Sequence, residues 1–180
     1  MNVCIFGTSL NPPHISHSLI LKELMSMNYD KVILLPTGIP NHKTISISDT
    51  HRINMANILG TKYGVEVSLF EIENKIDYTY KTLQHFFKEY DQITLVIGAD
   101  SLNTLKEWDY YDLFYNKIKF IIINRPGYNL EQEILKEIDY KLLDLSTVDI
   151  SSTELRNNLI KEDMDIEIYD YIIKNNLYKD

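Results

Sequence analysis

The stretch that decides the fold is CIFGTSLNPPHISHSLILKEL, Cys4 to Leu24. The apolar run Val3 to Phe6 stops at Gly7, and Pro12 and Pro13 then forbid regular strand pairing. Leu19, Ile20, Leu24 and Met25 follow at helical spacing, with His14 and His17 at the mouth of that helix. A strand, a Gly-Thr-Ser turn and a helix in that order begin a parallel β-α unit. The pattern recurs along the chain. Further apolar, β-branched runs lie at Val32–Leu35, Val65–Phe70, Ile93–Ile97, Ile118–Ile123 and Leu142–Leu145. Between them, Ile53, Asn57 and Ile58 have helical spacing, as do Leu83, Phe86 and Phe87. Ser152 to Leu177 reads as two short helices. Continuous apolar runs mark strands covered on both faces. The expectation is an α/β fold: a doubly wound, mostly parallel sheet with helices on both faces and a helical C-terminal part over about 151–180. Such sheets bind ligands beyond the carboxyl ends of the strands, where strand order reverses. Gly7 and Gly98 sit at two of those ends.

Composition narrows the function classes. The 180 residues suffice for one domain with a substantial core, and no repeat, linker or low-complexity tract divides 1–180. The net charge of −8 argues against a non-specific nucleic-acid binder, which needs a basic face. It leaves room for a small phosphorylated ligand. No apolar run approaches the length of a membrane span, and the first residues lack the pattern of a secretory signal. The single cysteine, Cys4, stands inside the first strand and reads as a packed thiol, so the cytoplasm is the expected compartment.

Four stretches carry chemistry. Gly7-Thr8-Ser9 offers closely spaced N–H groups at a strand end, suited to phosphate oxygens, although the triplet alone is more often a plain turn. His14 and His17, at i and i+3, share a helix face near its positive end and can donate to the same anion. Two histidines without a third ligand make a poor zinc site; the plainer alternative is that one caps the helix and the other lies on the surface. PTGIPNHK, Pro36 to Lys43, is a stiff loop leaving the second strand, with Lys43 at its end as a donor or simply a solvated lysine. VIGADSLNTLKEWDYYDLF brings Gly98, where a ligand can approach the backbone closely, then Asp100 just past the strand. Trp108 follows, able to stack on a planar ring or to fill the core. In VDISSTELRNNL, Ser152 or Thr153 can cap a helix and form an anion site that Arg156 reaches from one turn further on; a plain cap with a solvated arginine is the competing reading.

Taken together, the four stretches resemble the bacterial nicotinate mononucleotide adenylyltransferases of the nucleotidyltransferase superfamily. Gly7-Thr8-Ser9-Leu10-Asn11-Pro12-Pro13-His14-Ile15-Ser16-His17 is similar to that family's Gly-x-Ser/Thr-Phe-Asp/Asn-Pro-x-His-x-Gly-His pattern. Ile150-Ser151-Ser152-Thr153-Glu154-Leu155-Arg156 is similar to its Ile-Ser-Ser-Thr-x-x-Arg. PTGIPNHK, DYTYKTL (Asp77 to Leu83) and NRPGY (Asn124 to Tyr128) add to the likeness. Departures are Leu10 for an aromatic, Ser16 for the glycine between the histidines, Asn41 for a proline and Asp77 for a serine. The resemblance implies a Rossmann-like sheet with strand order 3-2-1-4-5. It implies adenylyl transfer from ATP to nicotinate mononucleotide, giving deamido-NAD and pyrophosphate in NAD biosynthesis, with Mg²⁺ carried by ATP and no protein-held metal. His14, His17, Lys43 and Arg156 would be catalytic. Gly7, Thr8, Ser9, Gly98, Asp100, Ile150, Ser151, Ser152 and Thr153 would hold ATP with His14, His17 and Arg156. Ser9, Lys43, Thr79, Trp108 and the backbone of Asp109 would receive nicotinate mononucleotide. The expected partners are these two small molecules, with no nucleic acid and no membrane; a homo-oligomer is left open. The rival readings are an adenylyltransferase for the amidated nucleotide or for phosphopantetheine, and a nucleotide-binding sensor that has lost turnover.

Overall fold

The computed structural model describes residues 1–39, 45–124, 126–145 and 150–179. In chain order the elements begin with β1 (Asn2–Thr8), α1 (Ile15–Ser26), β2 (Lys31–Pro36), α2 (Asp49–Tyr63), β3 (Glu66–Val67), α3 (Phe70–Glu73) and α4 (Thr79–Phe86). They continue with β4 (Gln92–Gly98), α5 (Ala99–Asn103), α6 (Tyr111–Phe114), β5 (Lys119–Asn124), α7 (Gln132–Leu135), β6 (Asp139–Asp144), α8 (Ser152–Asn157) and α9 (Ile166–Lys174). The strands form one sheet in the order β3-β2-β1-β4-β5-β6, every pair parallel. The expected order 3-2-1-4-5 is present, extended by one strand.

Strand alternation sends neighbouring residues to opposite faces. On one face Val3, Ile5, Leu95 and Ile97 pack with Leu83, Phe86, Leu102 and Phe114 of α4, α5 and α6. On the other, Cys4, Phe6 and Leu34 pack with Leu21, Met55, Leu59, Leu155 and Ile168 of α1, α2, α8 and α9. The sheet is therefore doubly wound, as the apolar runs imply. Cys4 is wholly buried, and burial pushes its thiol up to about 12, which leaves it unreactive at neutral pH.

Two strands differ from the sequence expectation. The run Val65–Phe70 yields only the two-residue β3, and Phe70 opens a helix instead. As an edge strand β3 has one neighbour, pairing Glu66 and Val67 with Ile33 and Leu34, so little holds the chain in the sheet. At the other edge β6 begins at Asp139, ahead of the apolar run Leu142–Leu145. Its first residues are exposed, so apolar content does not mark them, yet all six pair with β5.

The register opens the crevice. β1 pairs with β4 only as far as Phe6 opposite Val96. Beyond that point β1 follows β2 to Thr8 opposite Pro36, while β4 follows β5 to Gly98 opposite Ile123. The two central strands thus part at their carboxyl ends, and their next helices lie on opposite faces. This is the switch point at which open α/β sheets bind ligands.

Candidate active site

Gly7 stands where β1 leaves β4, and a Cβ built there would meet nothing within 4 Å among the described residues. The space beside it is open. Gly98 faces it across the crevice as the N-cap of α5, with Asp100 exposed one turn away. A Cβ on Gly98 would collide with the Asp100 carboxylate oxygen.

His14 is the N-cap of α1 and His17 its third residue. Their rings lie 3.9 Å apart between centroids, and both side chains are buried. The alternative of one capping and one surface histidine is thereby corrected: packing under the loop buries both. The His14 N–H donates to Nδ1 of His17 at 3.1 Å. An accepting Nδ1 places the proton of the neutral ring on Nε2, which faces Thr8 Oγ1 at 3.0 Å. His17 is thus keyed to the end of β1, its Nε2 N–H directed at the Thr8 hydroxyl.

The C-terminal motif closes onto the same loop. Ser152 Oγ donates to the Pro12 carbonyl at 2.8 Å, and Arg156 Nη1 donates to the Asn11 carbonyl at 2.7 Å. Arg156 Nη2 donates to Thr153 Oγ1 at 2.9 Å. The cap of α8 is Ser151, not Ser152 or Thr153. Ser151 and Glu154 form a reciprocal capping box, and Glu154 three residues on is what selects that register. Glu154 accepts from both the N–H and the hydroxyl of Ser151, which hold its carboxyl below the usual range. A phosphate at Ser151 would have to displace that carboxylate. Ile150 is half-buried beside the second core.

At the opposite rim, Thr79 is the first residue of α4 and half-buried. Trp108 is also half-buried and rests on the first core, so one side of the indole packs and part of it stays accessible. Tyr110, just beyond, packs against Tyr78 and Tyr80 at 5.3 and 5.2 Å between centroids, tying this loop to the start of α4. The side chains of Glu107, Asp109 and Asp112 are exposed. Lys43 lies outside the described residues.

Three residues that the sequence reading passed over, Arg52, Glu71 and Tyr178, hold the loops together. Arg52 of α2 is completely buried. Its Nε donates to the Ser9 carbonyl at 2.8 Å, and its Nη2 donates to the Thr37 carbonyl. Its Nη1 pairs with Asp49 at 2.8 Å. Burial lowers its pKa, with the Asp49 carboxylate opposing. Glu71 accepts from the Gly38 N–H at 3.1 Å and the Thr82 hydroxyl at 2.6 Å, while burial raises its pKa. Tyr178 reaches back from the C-terminal segment to donate to Asn11 Oδ1 at 2.9 Å, and burial pushes its phenol up. A sequence signal existed only for Arg52, a charge amid the apolar positions Ile53, Met55 and Ala56 of a helix. Among the described residues no three His, Cys, Asp or Glu side chains gather where they could hold a metal ion, and no helix is long and apolar enough to cross a membrane.

The cytidylyltransferase-like family matches residues 5–158, and the chain belongs to that family of nucleotidyltransferases. The similarity extends over whole proteins. A Clostridium botulinum relative named "Probable nicotinate-nucleotide adenylyltransferase" is 34% identical, covering 99% of this chain and 100% of its own. One of the same name from Endomicrobium trichonymphae is 37% identical, covering 98% of each. A Plasmodium falciparum nicotinic acid mononucleotide adenylyltransferase complexed with NaAD superimposes with TM-score 0.80 at 27% identity, over 98% of this chain and 97% of that one. The same enzyme complexed with APC gives 0.81 at 26% identity, over 98% and 96%. Within the family, then, this chain belongs to the nicotinate-nucleotide adenylyltransferases.

Proposed function

We infer that this chain joins nicotinate mononucleotide to ATP, forming deamido-NAD and pyrophosphate in NAD biosynthesis, and that one domain over 1–180 does so in the cytoplasm. The observation that carries the reading is end-to-end similarity to relatives of that activity, on a chain whose paired imidazoles stand at an open switch-point crevice. An oxygen of the nucleotide's phosphate attacks the α-phosphorus of ATP. The new O–P bond forms as the bond to the β-phosphate oxygen breaks, and pyrophosphate leaves with the electron pair. The protein supplies no nucleophile. Its part is alignment and neutralisation of charge.

In this mechanism Gly7, Thr8 and Ser9 seat phosphate oxygens, and the open space beside Gly7 supports that role. His14 and His17 donate to the triphosphate as charge moves to the leaving group, with Lys43 adding a positive charge by family resemblance. Arg156 and Thr153 flank the phosphates, while Ser151 and Ser152 fix the loop that faces them. Gly98 and Asp100 face adenosine. Thr79 and Trp108 receive the pyridine nucleotide, and the Asp109 N–H donates to the nicotinate carboxylate. The exposure of the Glu107, Asp109 and Asp112 side chains supports this, since none is buried against the ring site to repel that carboxylate. Mg²⁺ arrives on ATP as part of the substrate.

The deciding experiment measures pyrophosphate release with ATP, Mg²⁺ and each of nicotinate mononucleotide, nicotinamide mononucleotide and phosphopantetheine. Higher kcat/KM for nicotinate mononucleotide is expected. Preference for either of the others would reassign the acceptor, and no release with any would leave a nucleotide-binding sensor. Trp108→Ala should weaken both pyridine nucleotides alike, because the indole contacts the ring and not its substituent.

A further inference from the structure

Ser16 is the second residue of α1, between His14 and His17, at the place where the resembled pattern has glycine. Its residue is 5% exposed, and its Oγ, shut away from solvent, has no hydrogen-bond partner among the described residues. A buried hydroxyl without a partner is disfavoured relative to alanine, which would fill the same space with no polar atom. Serine side chains in helices usually escape this by bonding to the carbonyl four residues back. Here that residue is Pro12, which precedes the helix, and the donor on its carbonyl is Ser152.

The surroundings point to the missing partner. The first-turn N–H groups of a helix have no intrahelical acceptors. In α1 those of His17 and Ser18 turn back to the His14 carbonyl, so the N–H groups of Ile15 and Ser16 are the ones aimed out of the helix end. Side chains on a helix tilt toward its N-terminus, which carries the Ser16 hydroxyl over this same turn. N–H groups, a hydroxyl, two imidazoles and the positive helix end together favour an anionic oxygen. We propose that Ser16 is a phosphate-contacting residue of this enzyme, its hydroxyl donating to an oxygen of the ATP triphosphate. The inference rests on the adenylyltransferase reading above and adds a residue to it. Serine has three staggered χ1 wells, so the hydroxyl turns toward the incoming phosphate by rotating about one bond. It breaks no hydrogen bond in doing so, because it makes none beforehand.

The test compares Ser16→Ala with wild type. KM for ATP should rise about five- to tenfold, the scale of one hydrogen bond, with KM for nicotinate mononucleotide unchanged. The melting temperature of the free protein should be equal or higher. Calorimetry with inorganic tripolyphosphate should show the same fold-loss, and inhibition by adenosine should not change. The calorimetric arm needs no turnover, so it stands even if wild type fails to release pyrophosphate, the result that would sink the adenylyltransferase reading alone. Unchanged tripolyphosphate affinity, a loss confined to adenosine, or a lowered melting temperature with both KM values intact would each overturn the role for Ser16.

Discussion

Replacing Arg52 by lysine keeps the positive charge on α2 and removes the guanidinium fork. The wild-type side chain is fully buried and reaches three groups: the Ser9 carbonyl, the Thr37 carbonyl and Asp49. A lysine ammonium is a single point on a flexible stem and satisfies one of these directions at a time. Two charge-assisted bonds are then lost, at about 1.5–3 kcal/mol each, while the charge remains desolvated. The expected loss is about 3–5 kcal/mol. That is a large part of the 5–15 kcal/mol typical of a folded domain, yet small enough to leave a measurable transition. The assay is urea unfolding, read as a shift in midpoint at constant slope. Asp49→Asn is the control. The Asp49 side chain is 56% exposed, so its ion pair is solvent-screened and its loss should cost under about 1 kcal/mol. Because Ser9 and Thr37 end β1 and β2 at the crevice, Arg52→Lys should also lower kcat/KM. A lysine variant within 1 kcal/mol of wild type, or an Asp49→Asn loss as large as that of Arg52→Lys, would refute the account of Arg52 as the tie between the two loops.

Further outcomes follow from the same geometry. His17→Ala should cut kcat by about a hundredfold or more, the scale for losing a transition-state donor, and an unchanged kcat would remove His17 from the mechanism. Tyr178→Phe removes one donor to Asn11 Oδ1, leaving Ser46 as the other. It should cost about 1 kcal/mol of stability and raise KM for ATP several-fold; equal kinetics would limit Tyr178 to a packing role. Glu71 gives a pH signature. Its folded pKa lies above the ordinary 4.5 because burial disfavours the carboxylate, so the folded state binds more protons than the unfolded chain and this contribution is lost as pH rises through that window. Glu71→Gln should therefore gain melting temperature relative to wild type as pH rises above 4.5, and a difference that stays flat with pH would contradict the burial of that charge.

Much of this was legible in the sequence because it depended on neighbours along the chain. Apolar runs gave the six strand locations, and Gly7 and Gly98 marked the ends that the register now shows parting. β3 failed because strand length at an edge is set by the neighbouring strand, not by the run itself. β6 failed at its start because an exposed edge strand carries no apolar signature. Ser151 as cap was readable in Ser-x-x-Glu, with Glu154 at the third position, but the adjacent hydroxyls of Ser152 and Thr153 compete for the same reading. What Arg52, Glu71 and Tyr178 bond to was beyond reach for another reason, although the charge of Arg52 amid apolar positions marked that residue. Their partners are 43, 33 and 167 residues away, and no local spacing encodes a bond across such a distance.

On the proposed mechanism, which asks the protein for alignment, those long-range bonds have a catalytic use. Five donors from four distant segments converge on Ser9, Asn11 and Pro12: Arg52 on the Ser9 carbonyl, Arg156 on the Asn11 carbonyl, Ser152 on the Pro12 carbonyl, Tyr178 and Ser46 on the Asn11 side chain. None of these bonds needs to touch the reacting phosphorus. They fix the turn that starts α1, and that turn sets where the two imidazoles point. A displacement of about 1 Å at a reacting centre can cost a hundredfold in rate. Stabilising the loop from several directions before ATP arrives means the alignment is already present in the empty enzyme. On this account substitutions in the ties should scatter in their effect on stability but converge in their effect on kinetics: each should impair use of ATP more than use of the pyridine nucleotide, whose proposed rim is held separately by Tyr78, Tyr80 and Tyr110.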